Sequence, residues 1–260
     1  MFAENESLLH QFSMEATNDL SGKNVLITGG GSGMGMASAW TLAQRGAKVA
    51  ITGRRREKLT ETVSASPQTN EILIKESDVT DRKSLEELFQ WFDDKFGRLD
   101  CLVHAAGINV VMRSMEELPP KDWDKLIQTN LTGSYNVMRL ALERMRFQKK
   151  GLIILINSVA GKRSVPLGGI GYNASKFGMS GLGMGVSEEV KDHGIRITNL
   201  YPGEVNTPIL DNRKQPPSNE HRESILQAED VASVVQYLCG LPERVHIPEL
   251  VIKPTQQSFV

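Results

Sequence analysis

Tyr172 and Lys176 are spaced i and i+4 in Tyr172-Asn173-Ala174-Ser175-Lys176, which puts both on one face of any helix that contains them. A phenol with a pKa near 10 is a poor acid or base at neutral pH. A neighbouring ammonium favours the phenolate and lowers that value. The pair therefore suits proton exchange with a substrate hydroxyl. Ser158 follows the apolar run Leu152 to Ile156 and so stands at the carboxyl end of a strand, where open α/β sheets bind ligands. A hydroxyl there can hydrogen-bond a substrate oxygen and stabilise charge developing on it. Asn130 lies within the helix-period stretch before that strand.

A second set of residues suits a phosphate. Thr28-Gly29-Gly30-Gly31-Ser32-Gly33-Met34-Gly35 directly follows the first apolar run and opens a helix. Glycines let the backbone turn tightly and approach a pyrophosphate, while the helix offers free N–H groups and a partial positive charge. In this context the cluster reads as a dinucleotide site. An acid at the end of the second strand would bond a ribose 2′-OH. That place holds Gly53, followed by Arg54, Arg55 and Arg56. No carboxylate is there to repel a 2′-phosphate, and guanidinium groups are available to clamp it, so NADP(H) is expected over NAD(H).

With both sets in view, the chain resembles the short-chain dehydrogenase/reductase family from about Leu20 to its end. Thr28-Gly29-x-x-x-Gly33-x-Gly35 is similar to the family's cofactor motif, and Ser158, Tyr172 and Lys176 with Asn130 to its catalytic tetrad. Asp78-Val79 resembles the segment that touches the adenine, and Pro202-Gly203-Glu204-Val205-Asn206-Thr207 the segment that holds the nicotinamide carboxamide. The family's Asn-Ala-Ala-Gly reads His104-Ala105-Ala106-Gly107 here, and His104 is expected to hydrogen-bond neighbouring strands as a structural group. The resemblance implies hydride transfer between a nicotinamide and a carbonyl or secondary alcohol. In it Tyr172 gives or takes the hydroxyl proton and Ser158 bonds the substrate oxygen. Lys176 lowers the Tyr172 pKa and holds the nicotinamide ribose, and Asn130 positions a water linking Lys176 to solvent.

The substrate is less legible. Val159 to Gly171 should wall its pocket, and the stretch Thr207 to Ala228 should cover it. Lys162, Arg163, Arg213, Lys214, His221 and Arg222 are candidates to meet a substrate carboxylate. The ending from Leu241 to Thr255 is similar to the NADP-dependent 3-hydroxy acid branch of the family, and to other branches. A small 3-hydroxy acid or related alcohol is the expected substrate. Alternatives are a 3-oxoacyl group on an acyl carrier protein, docked on Arg139, Arg144, Arg146, Lys149 and Lys150, or a sugar alcohol or steroid. A different class, a sensor that binds NADP(H) without turnover, would be expected to lose the Tyr, the Lys or the Ser.

These residues need a scaffold. Short β-branched runs alternate with longer helix-period segments along the whole chain, which predicts a parallel sheet covered by helices on both faces. The fold class is thus α/β, a Rossmann-type doubly wound sheet of about seven strands in the order 3-2-1-4-5-6-7. Residues 21–260 read as one domain, with 1–20 as an N-terminal extension and 207–228 as a substrate-covering loop. Asp81 is a plausible N-cap for a helix ending at Gly97, and helices are expected at 123–146 and 172–191. The second of these carries Gly178, Gly181, Gly183 and Gly185, each costing about 1 kcal/mol relative to Ala in a helix interior. Close packing must offset that. A homodimer or homotetramer built through both helices is what the resemblance implies.

Composition closes off other classes. A chain of 260 residues, 40% hydrophobic, can bury one sizeable core. Lys plus Arg total 30 and Asp plus Glu 31, for a net charge of −1. That balance argues against general binding of nucleic acid or an anionic membrane. No apolar run approaches the roughly 20 residues needed to span a bilayer, and the acidic N-terminus does not read as a secretory signal. Cys101 and Cys239, the two cysteines, lack metal-like spacing, so no metal site is expected and a reducing, cytoplasmic setting is.

Overall fold

A computed structural model describes residues 19–67 and 72–258; the expected extension at 1–20 lies almost entirely outside them. Asn24–Thr28 (β1), five residues with every side chain buried, is an interior strand of a seven-stranded parallel sheet. Lys48–Gly53 (β2), Ile72–Glu76 (β3), Cys101–His104 (β4), Gly151–Ile156 (β5) and Ile195–Pro202 (β6) follow. Two short strands, Val205–Asn206 (β7) and Leu226–Gln227 (β8), pair with each other, and Glu249–Ile252 (β9) ends the main sheet. The order β3-β2-β1-β4-β5-β6-β9 is the expected one, with β9 in the seventh place. The chain reverses direction of travel between β1 and β4, which creates the crevice where open α/β sheets bind ligands.

Strand side chains alternate between two cores, as a period of two requires. Val25 and Ile27 join Leu42 and Val235 on one face of the sheet; Leu26 joins Phe89, Phe92 and Val137 on the other. The first core lies under Gly33–Gln44 (α1) and Ala228–Gly240 (α8). The second lies under Arg82–Phe96 (α3), Gly133–Gln148 (α5) and Ile170–Val190 (α6). Each fully buried Phe or Leu contributes about 1.5–3 kcal/mol against leaving it in water. Arg56–Ser64 (α2), Pro120–Ile127 (α4) and Asn219–Ser224 (α7) complete the helices. Asp81 caps α3 as expected, accepting from the Lys83 and Ser84 N–H groups, and Gly97 ends that helix at φ 74°.

Two expectations are refined. The expected helix at 123–146 is present within an unbroken helical run from Pro120 to Gln148, but it is not regular α-helix throughout. It is α4, then a π-helical turn at Gln128–Thr132, then α5. The stretch 207–228 is not irregular throughout, because it holds a 3₁₀ turn at Pro208–Asn212, α7 and β8. Polar Asn, Ser and Arg residues hid these short elements from a reading based on apolar period.

Candidate active site

The loop from β1 to α1 forms the floor of a cleft of about 220 Å³. Gly29 stands at φ 69°, and a Cβ there would lie 2.7 Å from the Ala106 nitrogen. A Cβ on Gly35 would lie 2.4 Å from the Gly29 carbonyl oxygen. Neither position accepts a side chain, so the helix end and the loop backbone come together at the cleft with Gly31, Ser32, Gly33 and Met34 lining it. The first turn of α1 carries no acid, and the Ser32 side chain does not cap it. Its N–H groups therefore face the cleft unsatisfied, ready for phosphate oxygens.

The other walls match the remaining expected contacts. Arg54 and Arg55, both exposed, flank the end of β2. Asp78 and Val79 line the cleft beyond β3; the Asp78 carboxylate accepts from the Thr80 N–H and hydroxyl. Ala105, Ala106 and Gly107 line the opposite wall. The Thr52 hydroxyl, 1% exposed, has no hydrogen-bond partner within the chain. A buried hydroxyl without a partner costs about 1–3 kcal/mol, and here it stands at the wall of a glycine cradle. The residues present therefore fit a dinucleotide. Thr28 does not line the cleft. It is fully buried, and its Oγ1 accepts from the Ala106 N–H at 3.2 Å, so it holds the wall from behind.

That hydroxyl begins a directed chain. Thr28 Oγ1 also bonds His104 Nδ1 at 2.8 Å, and donates to it because the neutral ring carries its proton on Nε2. Ser134 Oγ donates to the Asn130 carbonyl at 2.6 Å and so accepts from His104 Nε2 at 3.0 Å. His104 is thereby a neutral Nε2–H tautomer, fully buried, with burial and the Lys176 charge holding its pKa at about 3. The expectation that His104 bonds neighbouring strands holds for Thr28 on β1, while its other partner belongs to α5.

Asn130 sits in the middle of the π-helical turn. Its Oδ1 accepts from the Ile108 N–H at 2.8 Å, and its Nδ2 donates to the Ile108 carbonyl and to Ser175 Oγ, both at 3.0 Å. The extra residue of the turn lets this amide leave the helix and tie the loop after β4 to α6. Ser158 caps the 3₁₀ turn Val159–Gly161, its Oγ accepting from the Ala160 N–H at 3.1 Å. Its hydroxyl proton is then free to point at Tyr172. Burial raises the Tyr172 pKa, while the Ser158 hydrogen bond and the Arg113 charge pull it down. Lys176 lies 5.8 Å from the Tyr172 ring centroid, on the same helical face. Its Nζ donates to the Ile156 carbonyl at 3.0 Å, and burial lowers its pKa to about 7.

A second cavity, of about 130 Å³, is lined by both Ser158 and Tyr172. Pro202, Gly203, Val205 and Thr207 form one wall, and Thr207 also lines the cofactor cleft. The Gly203 N–H donates to the Ile252 carbonyl at 2.7 Å, which fixes this segment to the sheet edge. Of the cations expected to face a substrate, only Arg213 lines the cavity, and it pairs with Glu204 at 2.6 Å. His221 meets the same carboxylate at 3.1 Å. Lys162, Lys214 and Arg222 pair with Glu249, Glu117 and Asp211, and Arg163 donates to the Lys162 carbonyl. Among the lining residues that sequence reasoning missed, Arg113 is the charged one. It follows no motif, and nothing in the irregular stretch after Gly107 marks it.

Two other features resolve. Arg139, Arg144 and Lys150 pair with Glu143, Asp93 and Glu243, so much of the basic cluster ending α5 is compensated. Among the described residues, no group of three or more His, Cys, Asp or Glu is placed to hold a metal, and no helix is long and apolar enough to cross a membrane.

Residues 23–218 match the family model for short chain dehydrogenases. An uncharacterized oxidoreductase of Listeria innocua, Lin0452, is 31% identical over 250 residues, covering 92% of this chain and 99% of that one. The closed form of a serine dehydrogenase complexed with NADP⁺ superposes with a TM-score of 0.82 at 29% identity, covering 90% of this chain and 96% of its own. A 3-ketoacyl-(acyl-carrier-protein) reductase from Brucella melitensis complexed with NADH gives 0.82 at 25%, covering 92% and 99%. Fold, cleft and similarity thus agree across nearly the whole chain, and the protein belongs to the short-chain dehydrogenase family of oxidoreductases, acting on CH–OH groups with a nicotinamide cofactor.

Proposed function

We propose that this chain interconverts a small hydroxy acid, or a related secondary alcohol, and its carbonyl counterpart with NADP(H). The observation that carries the reading is that Ser158 and Tyr172 line one cavity together, next to the cofactor cleft with which it shares Thr207. The bound nicotinamide would supply the hydride acceptor or donor. Ser158, its oxygen already accepting from Ala160, has a proton to give the substrate oxygen. Tyr172 exchanges the hydroxyl proton. Lys176, neutral or charged near pH 7, stands one helical turn behind it. Asn130 holds the loop carrying Gly107 against α6 and so keeps the cleft wall beside Lys176.

The preference for NADP(H) rests on Arg54 and Arg55 with Gly53 where an acid would select NAD(H). The cavity measures about 130 Å³. That size favours a small substrate over a steroid, and the compensated charges on α5 disfavour docking of an acidic carrier. Trp123, Tyr135, Phe177 and Met184 are large, apolar and exposed on α4, α5 and α6. Gly181 and Gly185 open to space, whereas Gly178 and Gly183 pack on Leu131 and Asn199 of the same chain. This face supports a homodimer or homotetramer. Two buried thiols support a reducing, cytoplasmic setting.

The test follows absorbance at 340 nm with NADP⁺ or NAD⁺ and a panel of hydroxy acids, sugar alcohols and simple secondary alcohols. NADP⁺-dependent turnover is expected, with Tyr172→Phe inactive yet binding NADPH nearly as well. Substantial activity in Tyr172→Phe would overturn the assignment. Cofactor binding without turnover across the panel would favour the sensor reading.

A further inference from the structure

Arg113 differs from the other cations around the substrate cavity. Among the described residues no carboxylate pairs with it. Its Nε donates to the Val110 carbonyl at 2.6 Å, Nη1 to the Leu167 carbonyl at 2.6 Å and Nη2 to the Asn212 carbonyl at 2.9 Å. Three backbone segments from separate parts of the chain thus hold one guanidinium in place. A guanidinium has five N–H donors, so two remain, one on each Nη. Side-chain rotamer freedom, which normally weakens a long cation's grip on a ligand, has already been given up here.

The charge is also uncompensated where it matters. Arg113, Glu204 and Arg213 are the charged side chains lining the cavity, and Glu204 and Arg213 neutralise each other. The net charge presented to a substrate is therefore close to one positive unit, in the same cavity that Ser158 and Tyr172 line. The rest of the lining includes Val159, Val165, Leu167, Ile209 and Leu210, which solvate no charge. A cavity of about 130 Å³ suits a small substrate. A monoanion with a planar head suits one fixed guanidinium. A phosphate would bring nearly two charges to a single cation.

We infer that Arg113 is the specificity-determining residue of this site, receiving the carboxylate of a small hydroxy or oxo acid whose other end reaches Ser158 and Tyr172. The inference rests on the oxidoreductase reading above and names its substrate class. It also explains why none of the loop cations is needed for the task.

The experiment compares 3-hydroxybutyrate with its methyl ester, using NADP⁺, in the wild-type protein, Arg113→Met and Arg113→Lys. The wild type is expected to favour the acid at least tenfold in kcat/KM. Arg113→Met should bring that ratio to about one, mainly through KM for the acid, and Arg113→Lys should restore part of it. A merely structural staple would lower acid and ester turnover together and leave the ratio unchanged, which would overturn the inference. A second arm needs no turnover: propionate, against propionamide, should raise the unfolding temperature of the wild type and of Arg113→Lys but not of Arg113→Met. Absence of that shift in the wild type, or its survival in Arg113→Met, overturns the inference. A propionate shift with no oxidation of acid or ester leaves the carboxylate site standing and removes the proposed reaction instead.

Discussion

Replacing Lys176 by Met should stabilise the protein while removing its activity. Lys176 is 3% exposed, and burial brings its pKa from the ordinary 10.5 to about 7. At pH 7 the unfolded chain holds this proton almost fully and the folded chain only half the time. The difference costs the native state about 4 kcal/mol. Met has a similar length and no charge to desolvate. Against this gain stands the Ile156 carbonyl, which loses its 3.0 Å partner and is left unpaired, a cost of about 1–3 kcal/mol. The net expectation is a gain of about 1–3 kcal/mol. At about 2–4 °C per kcal/mol for a chain of this size, Tm should rise by about 2–12 °C. The pH dependence separates this cause from better packing. Lys176 has a folded-state pKa below its unfolded one. Its destabilising contribution is therefore full below pH 7 and fades as pH rises toward 10.5. Thermal unfolding of both proteins without ligand at pH 7 and pH 10 is the assay. The variant should be the more stable at pH 7, and its advantage should shrink at pH 10. A variant less stable at pH 7, or an advantage independent of pH, would refute the reasoning.

Three further outcomes are expected. Arg54→Ala should raise KM for NADP⁺ by about ten- to a hundredfold, the worth of a hydrogen-bonded charge contact, and leave KM for NAD⁺ nearly unchanged; equal effects on both cofactors would remove the 2′-phosphate role. Gly35→Ala places a methyl group 2.4 Å from the Gly29 carbonyl oxygen and should weaken NADPH binding about tenfold or more by fluorescence titration, with the fold kept. His104, with its pKa depressed from 6.5 to about 3, contributes an acid lability that sets in as pH falls below 6.5 and grows toward pH 3, at about 1.4 kcal/mol per pH unit. His104→Gln, which retains a donor and an acceptor, should flatten that slope in acid unfolding by about one proton.

Much of this protein was legible before any coordinates. Alternation of β-branched runs with helix-period segments determines a doubly wound parallel sheet, because each strand buries both faces and each crossover needs a helix. The glycine loop is legible for a steric reason: at Gly29 and Gly35 no side chain fits, so the requirement is written in residue type. Tyr172 and Lys176 share a helical face through spacing alone. Tertiary structure decided the rest. Asn130 lies in a π-helical turn, which leaves no periodic trace in the sequence because one added residue within a polar stretch shifts nothing visible. Thr28 turned from a cleft residue into the support of Ala106, since which way a strand's last side chain points depends on its neighbours. The six cations expected to face a substrate are indistinguishable in composition; only folding brought Glu204, Glu249, Glu117 and Asp211 within reach of five of them. Arg113 became a residue of the site in the same way, through three carbonyls as far as 99 residues away in the chain. Charge balance in a pocket is a sum over segments distant in sequence, and only the fold performs that sum.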